Sequence, residues 1–300
     1  MFRIIQKRKI WYGLSLLFLI PGIISLILWG LKLGNDFTGG SLLEYKFSKQ
    51  PEISAISDAL TPLDLGKFSV SPVGSDGITV KLKPIDQETV DKITKAVQEK
   101  YEDAQILSFE SIGPTIGAEL RQKAFVMTGL VLLGILLYVT YVFRGVSKNS
   151  PVSSWAFGGA TIVALFHDAL VVIGFVSIFG HFFNFEVDTL FVTALLTVIG
   201  FSVHDTIVVF DRIRERLRVS YGHSFETTVN ESINQTIIRS INTSATVLIT
   251  LLALYLFGGE SLRDFVLVLL IGITAGTYSS IFIASPLLIT WEKIRAKAKR

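Results

Sequence analysis

Apolar residues fall into long runs toward both ends of the chain and alternate with polar ones mainly between residues 34 and 122. A run of about twenty apolar residues is the length that crosses a bilayer as a helix, whereas period-two alternation marks a half-buried strand. The first run, Ile10 to Leu31, follows the basic residues Arg3, Lys7, Arg8 and Lys9 and is broken by little besides Tyr12, Ser15 and a Pro21-Gly22 pair. It resembles a signal peptide, but it is too long and no small-x-small cleavage site follows, so it reads as an uncleaved first transmembrane helix. Five further runs, near 124–143, 154–179, 188–210, 241–257 and 264–289, bring the total to six spans.

The stretch between the first two runs has a different grammar. Leu42 to Ser48 predicts a strand, Ile53 to Leu60 a short helix after Pro51, and Lys67 to Val73 with Ile78 to Lys83 a hairpin around Gly74-Ser-Asp-Gly77. Asp86 to Glu99 places Val90, Ile93, Ala96 and Val97 on one helical face, and Gln105 to Ser111 returns to strand character. The order β-α-β-β-α-β is the ferredoxin-like unit. Roughly 75 residues in that order bury a small core, so this is expected to be a separate domain outside the bilayer. Gly113-Pro-Thr-Ile-Gly117 ends the last strand, and Ala118 to Lys123 starts a helix that enters the membrane at about Ala124. The expected fold is therefore a membrane all-α bundle of six transmembrane helices with an inserted α+β ferredoxin-like domain. Its parts are residues 1–33, 34–122 and 123–300.

Composition agrees: half of the 300 residues are apolar and the mean hydropathy is +0.54, too high for an ordinary soluble domain. The chain has no cysteine, which excludes thiolate metal sites, disulfides and cysteine nucleophiles. A net charge of +3 would suit an anionic polymer, but the cations have a topological distribution and there is no nucleic-acid signature. Arg3, Lys7, Arg8, Lys9, Arg144, Lys148, Arg212, Arg214, Arg216, Arg218, Lys293, Arg295, Lys297, Lys299 and Arg300 gather on one side of the spans. The other side has none in His181 to Asp188 and only Arg263 near Gly258 to Leu262. Cations stay on the cytoplasmic side, so both termini are expected there and the 34–122 domain on the opposite face.

The candidate chemistry lies inside the apolar runs. His167-Asp168 falls near the middle of the third span and His204-Asp205 in the cytoplasmic half of the fourth, with Ser202 nearby and Asp211-Arg212 at its exit. Ionisable residues in spanning segments are costly and are functional candidates by default. Arg239 begins the fifth span, where Asn242, Thr243, Thr246 and Thr250 continue one helical stripe, and Gly272, Gly276 and Ser280 permit close approach on the sixth. Spans three to six are thus expected to form a bundle with a polar seam suited to proton movement. Burial disfavours an ionised carboxylate and a nearby arginine favours it, so a changing Asp205–Arg239 distance would load or release a proton. Each residue also has a plainer reading. Arg239 fits a snorkelling anchor, Asp205 a helix-helix hydrogen bond, and His204 a packing histidine. Metal ligation by His167, Asp168, His204 and Asp205 is a weaker alternative, because neighbours on a helix project about 100° apart. No P-loop is present, so nucleotide hydrolysis is not expected.

These residues carry a resemblance. Asp36-Phe37-Thr38-Gly39-Gly40, Gly113-Pro114-Thr-Ile-Gly117, Ala164 to Ala169, Val198 to Thr206, Phe210 to Glu215 and Asn230 to Ser244 together resemble the SecF family. That family supplies the smaller part of the SecD–SecF membrane complex and is itself similar to resistance-nodulation-division transporters. The resemblance implies an accessory, non-enzymatic role in protein export at the bacterial cytoplasmic membrane, without a cofactor. The implied partners are SecD, a SecY-type translocon, an unfolded exported polypeptide, the lipid bilayer and protons. It also implies that Asp205 is the proton-path carboxylate and Arg239 its partner, with a further carboxylate supplied by SecD. The family commonly has Asn where this chain has His204, which leaves the role of that position open, as is the role of His167-Asp168. The alternative is a proton-coupled small-molecule exporter of the same superfamily, acting as a homodimer. Read from the backbone, Gly39 and Gly40 permit a tight positive-φ turn between the first helix and first strand, with Asp36 placed to cap it.

Overall fold

A computed structural model of the chain describes residues 2–145, 151–219 and 224–298; Lys148, Lys299 and Arg300 of the charge argument lie outside them. The chain divides into two compact units, residues 33–125 and the remainder.

In the smaller unit a short helix α2 (Asn35–Thr38) leads into β1 (Gly40–Lys46), followed by α3 (Ile53–Leu60), β2 (Phe68–Val73), β3 (Gly77–Leu82), α4 (Gln87–Lys100) and β4 (Gln105–Ile112). The strands form one antiparallel sheet in the order β2-β3-β1-β4, the ferredoxin-like arrangement expected from the sequence. Period-two alternation decides the register. Leu43 sits opposite Val80 and Phe109, and Tyr45 opposite Ile78 and Ile106. Leu43, Tyr45, Ile78 and Val80 are then fully buried beneath Ile56 and Leu60 of α3 and Ile93 and Val97 of α4. Burial of the Tyr45 ring raises its pKa, and its hydroxyl is satisfied 2.9 Å from Thr94 Oγ1.

The turn into β1 uses the glycine pair, with φ of +74° at Gly39 and +154° at Gly40. A Cβ on Gly39 would also lie 2.9 Å from Pro114 Cα, and one on Gly117 3.1 Å from the Phe37 carbonyl oxygen. The two motifs are thus one joint, closed against its own backbone. Asp36 sits within α2; the N-cap is Gly34, whose carbonyl accepts from the Thr38 hydroxyl at 3.0 Å.

Asp103 accepts a hydrogen bond from the Ser48 amide at 2.7 Å, and that bond holds its carboxyl below the ordinary value of 3.8. A depressed folded value supplies stability above the ordinary value that is lost as pH falls through the folded one. Protection of the Ser48 amide in hydrogen exchange is therefore expected to fall as pH drops below about 3.8. Asp103→Asn should give weak protection with no acid step; an unchanged step would assign the effect to another group.

Among the described residues, six helical segments are long and apolar enough to cross a membrane, one of them starting within the smaller unit. They are α1 (Arg8–Leu28), α5 (Pro114–Val142), α6 (Ser154–Phe183), α7 (Thr189–Val219), α8 (Phe225–Phe257) and a last span divided into α9 (Arg263–Ser279) and α10 (Ser285–Ala298). Helical structure exceeds the apolar runs: α5 starts ten residues before Ala124, and α8 sixteen before residue 241. Hydropathy marks where lipid contact begins, not where backbone hydrogen bonding does. The break in the last span is a π turn, Ser280–Ala284. Pro286 has no N–H to return to the carbonyl four residues back, and Ser285 Oγ donates to the Ser280 carbonyl at 3.2 Å.

Small residues set the helix contacts. A Cβ on Gly174 of α6 would lie 2.6 Å from Gly22 Cα of α1, and one on Gly276 of α9 2.9 Å from Ser202 Cβ of α7. At the ends rich in basic residues, Arg216 pairs with Glu231, and Lys293 and Arg8 with Glu226 at 2.7 and 3.7 Å. The N-terminal backbone is clasped by α8. Asn230 Oδ1 accepts from the Ile4 and Ile5 amides at 2.9 and 3.2 Å, and Asn234 Oδ1 from the Phe2 amide at 2.6 Å.

Candidate functional site

Four spanning helices, α1, α6, α7 and the last, each bring hydroxyl or ionisable side chains to one buried array. On α6, His167 is 8% exposed and Asp168 0%. His167 Nδ1 lies 2.9 Å from Asp168 Oδ1, and its Nε2 lies 2.8 Å from Ser15 Oγ on α1. The other Asp168 oxygen accepts from Ser202 of α7 at 2.6 Å and from Ser279 of α9 at 2.7 Å. Three hydrogen bonds to one carboxylate compensate its burial, which an unpartnered charge would not tolerate.

Helical periodicity carries the array onward. Asp205 follows Ser202 by three residues and so shares its face of α7. It is 6% exposed and accepts a short hydrogen bond from Ser280, the first residue of the π turn. The small residues of the last span make this possible, since Gly272 lies against Val198 and Gly276 against Ser202.

The remaining predicted residues are elsewhere. His204 is exposed on α7, and Arg239 is exposed on α8 together with Asn242, Thr243, Thr246 and Thr250. The threonines turn their hydroxyls back to carbonyls of their own helix, for example Thr246 to Asn242 at 2.7 Å. The helix packs instead through another face, where Thr277 of α9 donates to Ser244 at 2.6 Å. Spans three to six therefore do not enclose the Arg239 stripe as expected. The buried array runs through α1, α6, α7 and α9, and the α8 stripe faces away from this chain. Among the described residues, the Arg239 guanidinium has no ion-pair partner and no three His, Asp or Glu side chains converge as metal ligands.

The sequence reading did not single out Ser15 or Ser279, and it treated Ser280 only as a small packing residue. The available signal was a Ser-Ser pair six and seven residues ahead of Pro286, just before the turn whose helix bonding the proline disrupts.

Comparison with known proteins gives this geometry a context. A family model described as "Protein export membrane protein SecD/SecF, C-terminal" matches residues 92–294, and one described as "SecD/SecF GG Motif" matches residues 25–51, which include Gly39 and Gly40. The chain is 46% identical to the protein translocase subunit SecF of Thermobaculum terrenum and 42% identical to that of Anaerolinea thermophila. Each match covers 97% of this chain and 94% of the relative. Among solved structures, it is similar to SecDF of Thermus thermophilus, a translocon-associated membrane protein, with a TM-score of 0.83 and 34% identity. A super-membrane-facing form of SecDF gives 0.70 and 33%. The matches cover 97% and 99% of this chain but 39% of either SecDF chain.

Proposed function

The chain belongs to the SecD/SecF family of protein-export membrane proteins as an accessory SecF subunit of the protein translocase, and from that premise we propose that it works with SecD to convert the proton gradient into movement of exported polypeptide on the outer side of the membrane. The observation that carries this reading is Asp205, a carboxylate 6% exposed within a spanning helix and held by a hydroxyl, with no cation beside it among the described residues. An ionisable group inside a spanning helix is costly and is a functional candidate by default.

The exposed polar faces support the partnership. A membrane helix with Arg239, Asn242 and three threonines turned outward is costly in lipid, and covering it with polar groups of an adjacent subunit removes that cost. SecD supplies such a subunit, and its carboxylate would meet Arg239 from the other side. The polar faces of both His204 and Arg239 then lie at the subunit boundary, and Asp205 is loaded or emptied as the subunits shift. The lysine and arginine distribution supports cytoplasmic termini and an outer location for residues 34–122. On this reading the glycine joint at 39–40 and 113–117 is a fixed hinge point for the moving domain.

The test is crosslinking of a translocating polypeptide to the 34–122 domain in membranes with and without a proton gradient. Gradient-dependent crosslinking is expected at one or more faces of the sheet; equal crosslinking in both states overturns the proposal. A solubilised assembly lacking SecD would favour the homodimeric exporter instead.

A further inference from the structure

Asp205 is not the only buried carboxylate of the bundle. Asp168 has lower exposure and more hydrogen bonds, and the proposed path through Asp205 does not use it. What joins the two is a pair of adjacent serines. Ser279 Oγ donates to Asp168, and Ser280 Oγ donates to Asp205. The junction between them is the start of the π turn, a backbone form that recurs at functional sites in helices.

Each of these hydroxyls has a second acceptor within reach. Ser279 Oγ lies 3.2 Å from the Gly276 carbonyl and Ser280 Oγ 3.0 Å from the Thr277 carbonyl. A hydroxyl has one proton, so it commits either to the carboxylate or to its own backbone. Opposite an ionised carboxylate it donates to the carboxylate. Once the carboxylate is protonated the acid itself becomes a donor, and the serine turns to the carbonyl and accepts.

Among the described residues, the titratable groups nearest the Asp168 pair are Asp205 and Tyr278, whose hydroxyl donates to the Trp11 carbonyl. From α1 the pair meets the Ser15 hydroxyl, while Tyr12 is engaged by Thr290. From α7 it meets Ser202, with Asp205 one turn on, and from α9 it meets Ser279 and the Tyr278 ring, 6.1 Å from the His167 ring. On α8, Ser244 accepts from Thr277 and Arg239 is exposed, as is His204 on α7. A cavity of about 430 Å³ lies beside His167 and Ser15, walled mainly by apolar residues such as Phe18, Val171 and Leu270.

We infer that His167 and Asp168 form a second proton-holding site, coupled to Asp205 through the Ser279-Ser280 pair and reported to α1 through Ser15. The inference rests on Asp205 as a proton carrier and adds where a second proton is held. The balance is simple. The pair gains one proton: His167 Nδ1–H already donates to Asp168 Oδ1, so the added proton goes to Asp168 Oδ2, which then donates to the Ser279 hydroxyl, and it leaves from the same oxygen. Because the two donors are adjacent on one turn, a change of hydrogen bonding at one carboxylate is passed to the other. Ser15 connects that state to the helix whose continuation leads to the glycine joint.

The test is the carboxylic-acid carbonyl stretch in infrared difference spectra of the reconstituted SecD–SecF complex, recorded across a pH titration. Asp205→Asn is expected to leave a pH-dependent acid band that disappears in the double variant with Asp168→Asn. Asp168→Asn alone should move the midpoint of the Asp205 band by about one pH unit. Ser279→Ala, which keeps both carboxylates, should move both midpoints, and Ser279→Thr should restore them. If Asp168→Asn removes no band, or if Ser279→Ala moves only one midpoint, the second site is overturned while Asp205 stands. If Asp205→Asn removes no band but Asp168→Asn does, the failure lies with Asp205 as carrier, and with it the coupling.

Discussion

Asp205→Asn is expected to abolish the gradient-dependent component of export while leaving the complex assembled. Asparagine has nearly the same shape, and its amide oxygen still accepts from the Ser280 hydroxyl, so the α7 contact with the π turn is retained. It cannot ionise, so it cannot load or release a proton. One charge moved through 100 mV is worth about 2.3 kcal/mol, roughly a fifty-fold bias on a conformational equilibrium. The ratio of export with a gradient to export without it should therefore fall to about one. The measurement is export of a secreted reporter in cells carrying the variant at normal protein levels. A ratio equal to that of wild type would reduce Asp205 to a helix-helix hydrogen bond and transfer the search to His167 and Asp168.

Gly174→Val is expected to detach α1 from α6. The new Cβ would lie 2.6 Å from Gly22 Cα and 3.2 Å from its carbonyl carbon, both backbone atoms that no rotamer change can clear. Separation of the helices is the only relief, and it costs more than an ordinary overpacked core, about 3 kcal/mol or above. It would also break the chain of hydroxyls one turn away, where Ser25 and Ser177 are 2.7 Å apart and Ser177 donates to the Gly30 carbonyl at 2.7 Å. Because the chain has no cysteine, Ser25→Cys with Ser177→Cys reports this contact without background. Oxidative crosslinking of that pair reads how close α1 stays to α6, and adding Gly174→Val should remove most of the crosslink. Undiminished crosslinking would mean that the close approach is not needed to hold α1.

The four-stranded sheet was legible because alternation and turn residues are local signals. The helix Ile53–Leu60 has the predicted bounds, and the strands shift by only one or two residues. The spans were legible in number, but α5 and α8 extend well beyond their apolar cores, since hydropathy carries no information on a helix that leaves the lipid. At the site, His167, Asp168 and Asp205 stood out because a charge in an apolar run has a cost that serine does not. Ser15, Ser279 and Ser280 stayed hidden for the same reason, as a serine in a spanning helix can satisfy itself on its own backbone. The placement of Arg239 was not legible at all. A polar stripe shows that a helix has a polar face, and not whether that face turns toward its own chain or a neighbour.

The clasp of Phe2, Ile4 and Ile5 by Asn230 and Asn234 has a temporal side. Its two halves are separated by 225 to 232 positions in the chain. At about 5–20 residues per second, the first amides leave the ribosome roughly 10–50 s before their acceptors exist. Until then they have only water and the lipid interface for partners, and the first helix must wait in the bilayer with its leading end unfastened. The clasp therefore cannot close until α8 has been made.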